Sequence, residues 1–253
     1  ASGQGGGSVQ QLSYGRGLAR AAQGAGARLF GGSRAKAITR QGKEWLIETA
    51  KGSLQAPQVL IGTNGYTDGI WPGLRQTVVP VVSVISATKP LSPNLLAGIL
   101  PGGHAVSETR RILYYYRLDD AGRFVMGGRG VHPEVRDPSE GDHLRATALA
   151  YFPQLAGAEW EFNWSGYVAM TPEHAPRLCR LDEGVYAGLG FNGRGVAMGT
   201  MMGKQMAALI CGEDPDMPVE PLRPIPFHSF RALGVAWFRL TGHWLDRRDQ
   251  QAV

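Results

Sequence analysis

A chain of 253 residues with 43% hydrophobic side chains can bury a real core, in one large domain or two modest ones, and is not a disordered polymer. Its formal charge of +5 comes from Lys and Arg spread along the chain, often beside Asp or Glu, which reads as solvated surface rather than a nucleic-acid footprint. Two cysteines, Cys179 and Cys211, without CxxC spacing, and six histidines without an HxH or HExxH pattern, exclude a disulfide scaffold and a metal site.

No apolar run reaches the roughly 18 residues of a membrane span and no signal peptide is written, so a cytoplasmic location is expected. "ASGQGGGS" at 1–8 has the composition of a flexible linker or scar. "VQQLSYGRGLARAAQGAG" then predicts a helix with Leu12, Leu18, Ala19 and Ala22 on one side, stopped by Gly24 and Gly26. Short β-like runs follow in "ARLFGG", "AKAITR", "EWLIETA" and "QVLIGTNGY", with "RQGKE" and "AKGS" as hairpin signals. "QVLIGT" is continuously apolar, which predicts a central strand buried on both faces.

"TVVPVVSVISATKPL" is rich in β-branched residues, and "RRILYYYRLDDAGRFVMGGRG" predicts a hairpin turning at "DDAG". "EGDHLRATALAYFPQL" is helical by the spacing of Leu144, Ala148, Tyr151 and Phe152, and "AEWEFNWSGYVAM" is a strand. "GVYAGLGF" is a strand, "VAMGTMMGKQMAALICGE" a helix and "PVEPLRPIPF" an extended connection. Phe230, Leu233, Trp237, Phe238, Trp244 and Leu245 give the tail an amphipathic helical stripe. Flanked by Arg239, Arg247 and Arg248, it could lie on a membrane surface, but packing is the expected role.

Gly188, Gly190 and Gly193 spell a G-x-G-x-x-G. A dinucleotide fingerprint also needs a βαβ unit with an acidic ribose ligand at the end of its second strand. Glu213 and Asp214 follow the helix directly, and no parallel strand is written after them. The strand–glycine–helix order still offers unpaired N–H groups and a positive dipole end to a ligand. By spacing alone, a planar ligand lying near Gly193 and Gly195 and simple tight packing are equal alternatives.

The order of motifs adds a resemblance. "LSYGRGLARAA", "VLIGTNGYTD", "YYYRLDDAGRFVMGGRG", "MTPEHAPRL", "GLGFNGRGVAMGTMMGK" and "RPIPFHSFR" together resemble the FAD-dependent oxidoreductases of the D-amino acid oxidase superfamily, above all the gamma-glutamylputrescine oxidase-like branch beside sarcosine and glycine oxidases. The resemblance implies an α/β (α+β) fold with the flavin domain in separated segments and an antiparallel-sheet substrate domain inserted. Residues 9–76 and 171–253 would be flavin-domain segments and 77–170 a substrate-domain segment. It also implies that the N-terminal βαβ unit carrying the ADP-binding loop is missing. A chain supplying that segment is a candidate partner, beside a small-molecule amine substrate.

By the same resemblance, the chemistry is oxidation of a C–N bond, with hydride passing to flavin N5 and the imine then hydrolysed. Gly193, Arg194, Gly195 and Val196 would lie against the flavin ring. Ala35 would touch the adenine through its backbone, and Thr63, Asn64 and Gly65 would pass near the cofactor. Tyr114, Tyr116, Arg117 and Met170 are the substrate candidates. Strand alternation puts Tyr114 and Tyr116 on one face, where an aromatic enclosure for an amine and ordinary core packing are equal readings. No catalytic acid, base or triad is assigned.

Two departures matter. Gly166 stands near the position of a flavin-attaching cysteine, so a non-covalent FAD is expected. Ala197 stands where a substrate-gripping lysine occurs, which favours a longer amine over a small amino acid. The alternative is a non-catalytic flavoprotein subunit that binds a partner. The substrate and the electron acceptor stay open.

Overall fold

The structure, a computed structural model, describes residues 7–109 and 113–225. In chain order it comprises α1 (Gln11–Gly24), β1 (Ala35–Gln41), β2 (Glu44–Thr49), β3 (Gly52–Ala56), β4 (Val59–Ile61), β5 (Val79–Thr88), α2 (Pro93–Gly98), β6 (Val106–Ser107), β7 (Tyr115–Leu118) and β8 (Phe124–Arg129). There follow α3 (Asp142–Tyr151), β9 (Trp160–Met170), β10 (Arg177–Asp182), β11 (Val185–Leu189), α4 (Gly195–Ile210) and β12 (Val219–Pro221). These form two compact units: residues 7–18, 82–109 and 113–167 in one, and residues 19–81 and 168–225 in the other. The amphipathic stripe expected over 227–249 lies outside the described residues.

The first unit is built on a five-stranded sheet ordered β6-β7-β8-β5-β9. β7 and β8 pair antiparallel, Tyr115 opposite Gly127 and Leu118 opposite Phe124. Asp119 Oδ1 closes their turn by accepting from the N–H groups of Ala121 and Arg123, and Gly122 takes the left-handed conformation there (φ +76°). α3 lays Leu144 and Ala148 on one face of the sheet, over Val84, Tyr114, Phe124 and Met126.

The second unit holds an antiparallel meander, β1-β2-β3, and a mixed sheet ordered β12-β10-β11-β4. Trp45, Ile61, Leu74, Val78, Cys179, Val185 and Ala187 make the core between them. Trp45 Nε1 donates to the Glu183 carbonyl (3.1 Å), which ties the meander to the β10–β11 turn. On the opposite face of the sheet, Leu178 packs against Met202 and Met206 of α4.

Several local expectations differ from the structure. "ARLFGG" forms no strand: Leu29 and Phe30 are exposed, and Gly32 turns the chain with φ +63°. "QVLIGT" yields β4, but as the edge strand of its sheet among the described residues, with Ile61 buried and Leu60 37% exposed. Its apolar run is therefore covered on one face only. A strand does follow α4, contrary to the sequence reading. β12 runs parallel to β10, which is antiparallel to β11. It therefore runs opposite to β11, and β11–α4–β12 is not the parallel crossover a dinucleotide fold requires.

Candidate functional site

β4 leads into a 3-10 turn, Asn64–Tyr66, in which Asn64 is left-handed (φ +43°). Asparagine is among the few side chains that adopt this conformation readily, because its short amide bonds locally. Here the amide reaches across the sheet instead. Asn64 Oδ1 accepts from the N–H groups of Gly190 (3.0 Å) and Phe191 (3.4 Å), the first residues past β11. Thr63 and Thr67 close the turn beneath it through a hydroxyl–hydroxyl bond of 2.8 Å. Just beyond, Arg34 hydrogen-bonds Asp68, and together with the Ile70 N–H it holds that carboxyl below the usual carboxylate range.

The four glycines of the loop divide by role. A Cβ on Gly188 would stand 2.2 Å from Met202 Cγ, so this glycine lets α4 press onto β11. Gly190 is left-handed (φ +79°), and a Cβ there would stand 2.4 Å from Thr171 Cγ2. Gly193 (φ +83°) and Gly195 are different, because a Cβ on either would meet nothing within 4 Å. Close packing is therefore seen at Gly188 and Gly190, and open backbone at Gly193 and Gly195.

A second brace comes from below. Asn192 is also left-handed (φ +50°), and its N–H donates to the Ala169 carbonyl (2.9 Å). Its Oδ1 accepts from the Thr171 N–H (2.8 Å), and its Nδ2 donates to Thr171 Oγ1 (3.1 Å) and to the Gly190 carbonyl. Thr171 is 3% exposed, and its hydroxyl donates to the Ala175 carbonyl (2.8 Å). Arg194 Nη2 donates to the carbonyl of His174 (2.7 Å) in the same turn. Arg177 fixes that turn from its far side through Glu173 (2.6 Å).

α4 begins at Gly195, and its first i→i−4 bond runs from the Met198 N–H to the Arg194 carbonyl (2.9 Å). The N–H groups of Gly195, Val196 and Ala197 precede that bond. No side chain caps the helix, and its first turn holds no acid. Residues 193–197 are exposed. This is a bare ledge at a helix N-terminus, and the positive end of a helix with unpaired donors suits carbonyl oxygens and developing negative charge. The residues fit a flat ring with an acceptor edge: open space over two glycines, unpaired N–H groups beside it, and no carboxylate to repel it.

The other sequence candidates fall elsewhere. Thr63, Asn64 and Gly65 are brought to the glycine loop through Asn64. Ala35 begins β1 in the meander, opposite Thr49, next to a β-bulge. Met170 ends β9 and immediately precedes Thr171. Tyr114, Tyr116 and Arg117 lie in the first unit. Tyr114 is 5% exposed within that unit's core, and the Tyr116 ring packs on Phe124, Tyr151 and Phe152 at 5.7–6.0 Å. Both rings pack within that unit, Tyr114 buried and Tyr116 partly so. The opposite face carries Tyr115 and Arg117. The Tyr115 hydroxyl bonds Ser83 Oγ (2.8 Å), Gly127 leaves room for the ring, and burial pushes its phenol pKa up. Arg117 Nη2 donates to Gln11 Oε1 (3.1 Å). Cys179 is buried in β10, and Cys211 follows the C-terminal end of α4, away from Gly195.

Sequence reading missed Thr171 and Asn192 as parts of this arrangement. The Asn192–Gly193 pair was legible as a turn signal, but the partner of its amide lies twenty-one residues earlier in the chain.

The strand, braced glycine loop and uncapped helix make one continuous arrangement, and comparison with known proteins gives the family of the chain that carries it. Residues 3–209 match the DAO family model, described as FAD dependent oxidoreductase, and the chain belongs to that family; FAD is the cofactor that membership assigns. The chain is 32% identical over 232 residues to a Rhizobium meliloti (strain 1021) protein named "Probable oxidoreductase OrdL", covering 88% of this chain and 54% of that protein. It is 30% identical over 211 residues to the gamma-glutamylputrescine oxidoreductase of Escherichia coli (strain K12), covering 82% and 49%. Among solved structures, glycine oxidase from Geobacillus kaustophilus superposes with a TM-score of 0.69 at 20% identity, covering 84% of this chain and 57% of that one. That likeness establishes the mixed α/β fold. The chain spans about half the length of the curated relatives it matches.

Proposed function

We propose that this chain carries the ring-binding part of an FAD site in an oxidoreductase acting on the C–N bond of an amine or amino-acid-like substrate. The observation that carries the reading is the open backbone at Gly193 and Gly195, set at the uncapped start of α4. Gly193, Arg194, Gly195 and Val196 would hold the ring through main chain, with the α4 dipole at its acceptor edge. Thr63–Gly65 would flank the cofactor, and Ala35 would meet its adenosine end. FAD, when bound, supplies the two-electron acceptor for hydride leaving the carbon beside the amine. The positions of the two cysteines support a non-covalent attachment, since Cys179 is buried in a core strand and Cys211 follows the far end of α4.

The remaining FAD contacts come, in this reading, from polypeptide corresponding to the half of the relatives outside the match. With the Tyr114 and Tyr116 rings packed within the first unit, Arg117 remains a substrate candidate of that unit and Met170 one of the second. Ala197 offers no cation for a carboxylate, which favours a longer amine, the class named for the Escherichia coli relative.

The test titrates FAD into the chain alone and into the chain co-produced with that outside half of a relative. The FAD-binding form is then mixed anaerobically with gamma-glutamylputrescine, glycine and sarcosine. Uptake of FAD and loss of flavin colour with an amine are expected. Failure of both forms to take up FAD would end the reading. FAD bound but not reduced by any amine would leave a partner-binding flavoprotein subunit, a reading favoured by α1, none of whose residues is buried.

A further inference from the structure

We propose that Asn192 is a positioning residue: through Thr171, it fixes the glycine loop in the shape that receives FAD. This rests on the flavin reading above. The bland account of Asn192 is a turn residue chosen because asparagine tolerates a left-handed backbone. Such a residue needs no side-chain partners, and its amide can face water. Here the carboxamide spends both ends inside the protein. Its oxygen accepts from the Thr171 N–H (2.8 Å), and its nitrogen donates to Thr171 Oγ1 (3.1 Å) and to the Gly190 carbonyl.

Those bonds join two separate stretches of chain, one entering from β9 and one leaving β11. Thr171 relays the constraint onward, since its hydroxyl donates to the Ala175 carbonyl in the turn that also accepts from Arg194 (2.8 and 2.7 Å). Asn64 holds the same β11 end of the loop at Gly190 and Phe191. Immediately after these anchor points, Gly193, Arg194 and Gly195 are exposed. The loop is thus pinned at its β11 end by the two asparagines and at Arg194 by the Phe191 and His174 carbonyls, and is bare at Gly193 and Gly195. That arrangement fixes N–H groups before a ligand arrives and removes the ordering cost from binding.

The experiment compares wild type with Asn192→Gly, Asn192→Asp and Thr171→Val in the FAD-binding form of the protein. Asn192→Gly keeps the left-handed backbone and deletes only the carboxamide. Asn192→Asp keeps the acceptor for the Thr171 N–H and loses the two donations. Thr171→Val keeps the shape and deletes the hydroxyl relay. Measured are the FAD dissociation constant, the visible spectrum and midpoint potential of the bound flavin, and amide exchange at Thr171 and Gly190.

Asn192→Gly should weaken FAD binding about tenfold, about 1.4 kcal/mol, shift the flavin spectrum and potential, and speed exchange at Thr171. Asn192→Asp should keep Thr171 protected and still shift the potential. An Asn192→Gly protein that binds FAD with wild-type affinity, spectrum and potential overturns the inference and leaves the flavin reading intact. Should Asn192→Gly fail to fold, Thr171→Val decides: unchanged affinity and spectrum overturn it. A wild type that takes up no FAD in either form overturns the flavin reading, and this inference with it.

Discussion

Replacing Gly190 and Gly195 by alanine, one at a time, separates glycines that serve the fold from glycines that serve the ligand. Gly190 sits at φ +79°, where an L side chain costs about 1–2 kcal/mol. Its new Cβ would stand 2.4 Å from Thr171 Cγ2. Thr171 is 3% exposed and its hydroxyl is bonded to Ala175, so the methyl cannot swing away without breaking that bond. Overpacking of this kind adds about 1–3 kcal/mol. The total of about 2–5 kcal/mol lowers the thermal midpoint by roughly 4–20 °C at about 2–4 °C per kcal/mol.

Gly195 has no positive φ and no atom within 4 Å of an added Cβ. As the first residue of α4, alanine there leaves stability unchanged or raises it by up to about 1 kcal/mol, the helix-interior difference between the two residues. Its cost should appear only in FAD affinity, where a methyl stands over the ledge. The assay is thermal unfolding followed by circular dichroism, beside FAD titration of both variants. A Gly190→Ala protein as stable as wild type would refute the packing argument. A Gly195→Ala protein with wild-type FAD affinity would refute the claim that bare backbone at the start of α4 admits the ring.

Further predictions concern the frame around the site. Gly188→Ala sets its Cβ against Met202 Cγ near the base of a buried side chain, so it should cost about 1–3 kcal/mol and be partly offset in the Gly188→Ala/Met202→Ala double variant, read by a double-mutant cycle. Trp45→Phe keeps the buried ring but loses the donation to the Glu183 carbonyl, and should lower stability by about 1 kcal/mol in urea titration. Burial pushes the Cys179 thiol up to about 11 from an ordinary 9.0. A raised thiol is neutral in both states below the ordinary value, so its contribution is complete there. It is lost as pH rises toward 11, because the unfolded chain ionises first. The loss is roughly 2–3 kcal/mol at about 1.36 kcal/mol per pH unit, visible as a falling urea midpoint that Cys179→Ala flattens. A thiol reagent at neutral pH should modify exposed Cys211 rapidly and Cys179 only on unfolding.

What the sequence determined by itself was local. The 3.6-residue spacing of Leu144 and Ala148 makes α3, the "DDAG" turn makes the β7–β8 hairpin, and the apolar run after Gly195 makes α4, because these elements depend on neighbours a few residues away. The family was legible too, through motifs in fixed order. β10 and β12 were not singled out, since their strand character comes from partners distant in sequence. "QVLIGT" looked central, yet among the described residues β4 pairs with β11 alone, a matter of pairing that composition does not record. Tyr114 and Tyr116 were placed correctly on one face, but only packing shows that this face is the core. The glycine pattern carried the same limit. Identical residues at 188, 190, 193 and 195 differ in role because of what stands within 4 Å of each, and those neighbours, Met202 and Thr171 among them, are gathered only when the chain folds.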